Sequence, residues 1–198
     1  MIEWDDIAGV KLDGIRELGE SLRLYRRTFG DRRLLVFKSD MKAAYWQMPL
    51  AYLWQIKQII TIDGQRHVDR CACFGCRGSQ YIFMAFMGLV VWIATYIKLI
   101  DHLKDYVDDS YSFEIEGSML YYKPYNCSFP TKQTHLLLLW DELGIPHTND
   151  KQEFGSVLSI IGFLVDPNAM TVTMSAESRA DLVSLIRIFS VRGKRRNP

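Results

Sequence analysis

The sequence predicts an α+β fold, with helices packed on a mainly antiparallel sheet. Three observations carry this expectation. Short apolar or alternating runs are bounded by turn signals: Leu34 to Phe37, Ile59 to Ile62 before Asp63-Gly64, and Tyr111, Phe113 and Ile115 after Asp108-Asp109. Apolar residues elsewhere recur at three- and four-residue spacing, as in Ile15, Leu18, Leu22, Tyr25 and Phe29. The two kinds of segment alternate as helix, strand, hairpin, helix, hairpin, helix, hairpin, helix, which places the helices on one side of the sheet.

Taken in order, the first helix is weakened by Gly14 and Gly19 and ends at Gly30-Asp31. Leu34 to Phe37 is continuously apolar and short enough for a buried strand, and it delivers Asp40 just beyond its end. Ile59 to Ile62, Asp63-Gly64 and the residues from Arg66 onward make a hairpin with a primed turn. From Tyr81 to Ile97 no residue is charged. The stretch is marginal for a membrane span, which needs ~20 apolar residues, and reads better as a helix buried in the core. A hairpin with Asp108 and Asp109 at its turn follows, then an irregular stretch with Pro124 and Pro130. Leu136, Leu139, Trp140 and Leu143 share a helical face that Gly144 stops. Ile160 to Val165 and Met170 to Met174 form a hairpin across Asp166-Pro167-Asn168. Ser175 then caps a last helix with Leu182, Leu185, Ile186 and Phe189 on one face.

The chain has 198 residues, 48% of them hydrophobic and 13% aromatic, which is enough for a real core and excludes wholesale disorder. Its formal net charge is +1, so nucleic-acid binding requires a local patch. Basic residues do cluster at Arg23, Arg26, Arg27, Arg32, Arg33 and Lys38, and again at Arg192, Lys194, Arg195 and Arg196, the latter read as a frayed tail. Cys71, Cys73 and Cys76 lack a convincing second pair, since Cys127 and His67 would have to complete a zinc site. Reduced thiols in an intracellular protein, nuclear or cytoplasmic, are the simpler reading. Glu3, Asp5 and Asp6 at the start do not fit a signal peptide.

The most informative segment is Tyr106-Val107-Asp108-Asp109. Neighbouring side chains on a strand point to opposite faces, and only a bend lets two successive acids approach one point. Such a turn concentrates negative charge where divalent cations and phosphates meet, although Asp-Asp is also an ordinary solvated turn.

Read with its upstream partners, this segment resembles the fingers–palm core of a reverse transcriptase. Asp40-Met41-Lys42-Ala43-Ala44-Tyr45, followed by Gln47-Met48-Pro49-Leu50, resembles the family's first motif, and Phe74-Gly75-Cys76-Arg77-Gly78-Ser79 with Phe83 the second. Tyr106 to Asp109 resembles the third, Leu143-Gly144-Ile145-Pro146 with Lys151 the fourth, and Ile161-Gly162-Phe163 the fifth. The wording is nearest to fungal retroelements of the DIRS or gypsy kind. The resemblance runs from about Leu34 to Met174. It implies a palm at about 31–50 and 83–175, a fingers remnant at about 1–30 and 51–82, a partial domain over 1–180, and a helix end and basic tail at 181–198.

The function implied is RNA-directed DNA polymerisation: deoxynucleoside triphosphates are added to a primer 3′-hydroxyl on an RNA or DNA template. Two Mg2+ (or Mn2+) ions ~3.5–4 Å apart clamp the attacking and leaving oxygens in such reactions. The resemblance makes Asp40 and Asp108 the bridging ligands, Asp109 a weaker third, and the Met41 carbonyl a further oxygen donor. Lys151 becomes the proton donor to pyrophosphate. Tyr45 lies under the sugar and excludes a 2′-hydroxyl, while Phe74 and Gly75 border the nucleotide. Arg77, Gly78 and Ser79 meet the template, Tyr106 the primer end, and Gly162 and Phe163 open a hairpin that grips the primer. Ordinary alternatives stand beside these roles: a turn acid at Asp40, core packing at Tyr45, a surface lysine at Lys151.

Two positions depart from the family pattern: Ala43 stands where many relatives carry a second acid, and Gln80 where proline is usual. With 39 residues before Asp40 and one helix after the last hairpin, the expectation is a truncated core. Its partners would then include other retroelement domains (thumb, ribonuclease H, recombinase) in a longer protein, and no membrane. The alternative function is a catalytically silent relic that keeps the palm fold and binds nucleic acid weakly.

Overall fold

The computed structural model describes residues 12–190, with Arg77 described by its backbone alone. The acidic start and the basic run from Arg192 therefore lie outside the described residues. Helix α1 (Ile15–Phe29) leads to β1 (Leu34–Met41), a 3-10 turn (Ala44–Gln47) and a one-turn helix α2 (Tyr52–Gln55). A hairpin of β2 (Ile59–Ile62) and β3 (Gln65–Val68) precedes the long helix α3 (Arg77–Tyr96). Then come β4 (Lys104–Tyr106) and β5 (Asp109–Ile115), a hairpin of β6 (Met119–Tyr122) and β7 (Cys127–Pro130), and α4 (Thr131–Leu143). The chain closes with β8 (His147–Gly155), a meander of β9 (Leu158–Ile160), β10 (Phe163–Asp166) and β11 (Thr171–Met174), and helix α5 (Ala176–Phe189).

β1 is central in an antiparallel sheet of order β4-β5-β1-β8. Its continuous apolar run has a direct cause, because both of its faces are covered. Val36 and Leu34 pack under α1 with Leu18, Leu22, Tyr25, Tyr111 and Phe113. Phe37 and Met41 face the other way, among Phe83, Met87 and Val90 of α3 and Leu136, Leu137 and Trp140 of α4. Helices thus lie on both faces of the sheet, not on one as the element order suggested. β5 follows the same division: Tyr111 and Phe113 lie under α1 while Ser110 and Ser112, small and buried, alternate with them. Asp40 is inside β1, not beyond its end.

Local chemistry sets the ends of the elements. Glu17 reaches back to accept from the Gly14 N–H (2.9 Å), and Ser175 Oγ accepts from Ser178 N–H (3.1 Å) at the start of α5. Gly144, at φ 70°, ends α4 in the left-handed region. Asp63 and Gly64, at φ 51° and 76°, form the expected primed turn between β2 and β3.

Two helix faces differ from expectation. Leu143 is exposed and Leu137 is buried in its stead. The face Leu182, Leu185, Ile186 and Phe189 of α5 is 42–69% exposed. Helix α3 buries Phe83, Met87, Val90 and Ala94 but exposes Ile82, Leu89, Trp92 and Tyr96. Its residues 78–96 are long and apolar enough to cross a bilayer by length and composition.

Candidate active site

The site forms where the β4–β5 hairpin meets the end of β1. Tyr106 pairs with Asp109, leaving Val107 and Asp108 as a two-residue turn. Val107 takes φ 59°, a conformation that costs a β-branched residue on the order of 1–3 kcal/mol. Its side chain packs against the α3–α4 core, and the Asp108 carbonyl accepts from Met41 N–H at 3.4 Å. The strained turn is thereby fastened to β1 at both levels, backbone and side chain.

The register then sets Asp40 directly opposite Asp109. Directly opposed residues project from the same face of an antiparallel pair, so these two acids share a face, with Asp108 next to them at the bend. Burial raises the Asp108 carboxyl above its usual range, and the nearby Asp40 charge adds to this. Asp109 is also raised, chiefly by burial, with Lys38 opposing and Asp108 and Asp40 reinforcing. Each carboxylate therefore sits in the field of the others.

β8 supplies the counter-charge. Its pairing with β1 shifts register between Ser39 and Met41, so residues 148–151 bulge opposite Asp40. Gln152 Nε2 closes the bulge by donating to Thr148 O at 3.0 Å, and Lys151 Nζ donates to Asp40 Oδ2 at 2.6 Å. This raises the Lys151 pKa, the Asp40 hydrogen bond being the main cause. Asp40 Oδ1 is buried without a hydrogen-bond partner. Lys38, two residues upstream on the same strand face, pairs with Glu153 at 3.1 Å. From the other side of the sheet, Gln133 Nε2 of α4 donates to Lys38 O, Ser39 Oγ and Glu153 O, tying β1 and β8 together.

Tyr45 is buried beside this turn, edge-on to Phe74 (4.7 Å between ring centroids) and Phe83 (5.2 Å). Burial raises its hydroxyl pKa and the Asp108 charge raises it further. Phe74 is 77% exposed, so one face of this aromatic group is open to a ligand.

No protein-family model and no curated protein matches the sequence. Solved structures do match. A foamy viral protease-reverse transcriptase in complex with RNA/DNA hybrid aligns over 94% of this chain at 16% identity and a TM-score of 0.61. The same viral protein in complex with double-stranded DNA aligns over 81% at 17% identity and 0.56, and its dRH form over 83% at 17% and 0.55. The fold is reverse-transcriptase-like. The matches cover 21–29% of those chains, so this chain spans less than a third of their length.

Within this reverse-transcriptase-like fold, Asp40, Asp108, Asp109, Lys151 and Tyr45 are brought together. The acids do not close on one point: among the described residues no three His, Cys, Asp or Glu side chains form a group able to hold a metal ion. The Asp40 carboxylate is engaged by Lys151. Gly75, at φ 83°, needs to be glycine for its backbone conformation, because a Cβ there would meet open space. Ser79 is 4% exposed in the first turn of α3, where it presents little surface to a template, and Gly78 and Met41 are buried too. The Arg77 side chain lies outside the described residues. Tyr106 is partly exposed; Gly162 forms a primed turn with Ile161, and Phe163 begins β10 in the separate β9–β11 sheet. Val107, Lys38 and Gln152 were not singled out from the sequence as site residues. Val107 carried a signal as part of the segment Tyr106 to Asp109, and Lys38 through its two-residue spacing from Asp40; Gln152 carried none.

Proposed function

We propose that the chain is the fingers–palm core of an RNA-directed DNA polymerase from a retroelement of the DIRS or gypsy kind. It would extend a primer 3′-hydroxyl with deoxynucleotides on an RNA or DNA template. The observation that carries this reading is the cross-strand opposition of Asp40 and Asp109 with Asp108 at the adjoining turn. The foamy viral structures, solved with RNA/DNA hybrid and with double-stranded DNA, support it at the level of fold.

The donor set suits a hard divalent cation. Asp40 keeps a buried, unpartnered carboxylate oxygen, and Asp108 and Asp109 hold mutually unfavourable charge. Asp40, Asp108 and Asp109, with the Met41 carbonyl, would hold two Mg2+ or Mn2+ ions. When bound, these ions would neutralise charge at the attacking and leaving oxygens. The chain's own residues would do the rest. Lys151 would give a proton to the departing pyrophosphate. The Tyr45 ring, backed by Phe83, would lie under the sugar and exclude a 2′-hydroxyl. Phe74 and Gly75 would border the nucleotide, Arg77 the template, and Tyr106, Gly162 and Phe163 the primer. Residues 31–50 and 83–175 would form the palm and 51–82 part of the fingers, with thumb and ribonuclease H functions supplied by further domains.

A primer-extension assay on an RNA template tests this, using the chain alone and within a longer polypeptide. Extension in Mg2+ is expected, and its loss in Asp108→Asn with an unchanged melting temperature or a small rise. Equal extension by the variant would show the acid assignment to be wrong. The second reading, a silent palm, is favoured by Ala43 and by the ungathered acids; it expects no extension in either context.

A further inference from the structure

We propose that Lys151 is an internal counter-ion that occupies Asp40 in place of a divalent cation and has to swing away before that cation can bind. This rests on the reading of Asp40 as a metal ligand. Asp40 is the fixed partner: it lies within β1, hydrogen-bonded between β5 and β8, and its side chain is 20% exposed. Lys151 is the movable one, 45% exposed on the β8 bulge at the end of a flexible stem. The two meet at 2.6 Å through Oδ2 alone, and Oδ1 stays buried and unpartnered. A single ammonium therefore satisfies half of a carboxylate, and an ion with several coordination positions can displace it.

The Asp40 carboxylate is thus engaged by an ammonium while its charge still acts on Asp108 and Asp109. The exchange is one cation for another. No bond is made, no proton is lost, and Lys151 stays charged. Its release is also local, for Asp108 and Asp109 lie close enough to act on it electrostatically. Loading of the site would thus free the lysine beside the place where a triphosphate arrives. Lys38 is the through-space control: it carries the same charge on the same sheet face and acts on Asp109 from a distance, but its ion-pair partner is Glu153 and not an acid of the trio.

The test is a Mn2+ titration of the intact chain followed by electron paramagnetic resonance, with thermal melting to verify folding. Lys151→Met should tighten Mn2+ binding about tenfold, the low end of what a charge-assisted hydrogen bond contributes. Lys38→Met should tighten it less than about threefold, as expected for screened through-space charge. Lys151→Arg, which keeps the cation, should stay near wild type, and Asp40→Asn should lose the site. Should Lys151→Met fail to fold, Lys151→Gln gives the same reading. Binding that needs Asp40 but is unchanged by Lys151→Met, or is tightened equally by Lys38→Met, overturns the exchange and leaves the metal assignment standing. Failure of both wild type and Lys151→Met to bind Mn2+ overturns both.

Discussion

Replacing Asp105 with asparagine should stabilise the protein at neutral pH. Asp105 lies in β4 opposite Ser110, half-buried, and burial followed by the Asp13 charge pushes its carboxyl from 3.8 up to about 6, against the pull of Lys104. The folded-state value is the higher one, so between about pH 4 and 6 the folded protein holds more protons than the unfolded chain. Stability is therefore highest below this window and falls as pH rises through it, leaving a penalty at pH 7. For a fully enclosed group this would amount to about 3 kcal/mol. Solvent reaches one side of the carboxylate, and screening reduces the figure to about 1–2 kcal/mol. Asparagine has nearly the same shape and no charge, so it removes the penalty. A domain of this size gains about 2–4 °C per kcal/mol, so the melting temperature should rise by about 2–8 °C at pH 7.5 and by much less at pH 4.5. Calorimetry at the two pH values measures both. An equal gain at both, or no gain at pH 7.5, would refute the electrostatic account.

Two further substitutions bear on the site. Tyr45→Ala removes a ring held between Phe74 and Phe83; it should cost about 3 kcal/mol in denaturant unfolding and admit ribonucleotides in primer extension. Unchanged sugar discrimination would remove the gate role. Gln133→Leu strips one donor from Lys38 O, Ser39 Oγ and Glu153 O, and should cost about 1–3 kcal/mol with an unchanged denaturant slope. Hydrogen exchange should quicken first in β8, where that side chain clamps the bulged strand.

The parts of this fold visible in the sequence are those whose patterns are local. Asp63-Gly64 demanded a primed turn, Gly144 a helix stop, and Tyr111, Phe113 and Ile115 an alternating strand, and all three are present, although β5 is buried on both faces. β8 was hidden because His147 to Gly155 has no apolar alternation; its pairing with β1 is what makes it a strand. The β6–β7 hairpin was hidden by Pro124 and Pro130, which sit in its 3-10 connection and at the last position of β7, where proline is tolerated. Leu34 to Phe37 announced a strand but not its neighbours, so helices were expected on one face when both are occupied. At the site, the acids were legible from Tyr106 to Asp109 and from Asp40. The Lys151 contact was not, since it depends on a bulge that only tertiary pairing creates.

The placement of β1 has a consequence for biosynthesis. Its two neighbours are β5 and β8, so Val36 must wait for Phe113 on one edge and Gly155 on the other. A ribosome emits ~5–20 residues per second, and the apolar run Leu34 to Phe37 therefore spends several seconds without either partner. Nascent chains halted before His147 would carry an unpaired edge on a strand with a four-residue apolar run, the kind of surface that seeds clumping and engages chaperones. Completion of β8 thus ends the vulnerable interval, well after the first helix has emerged.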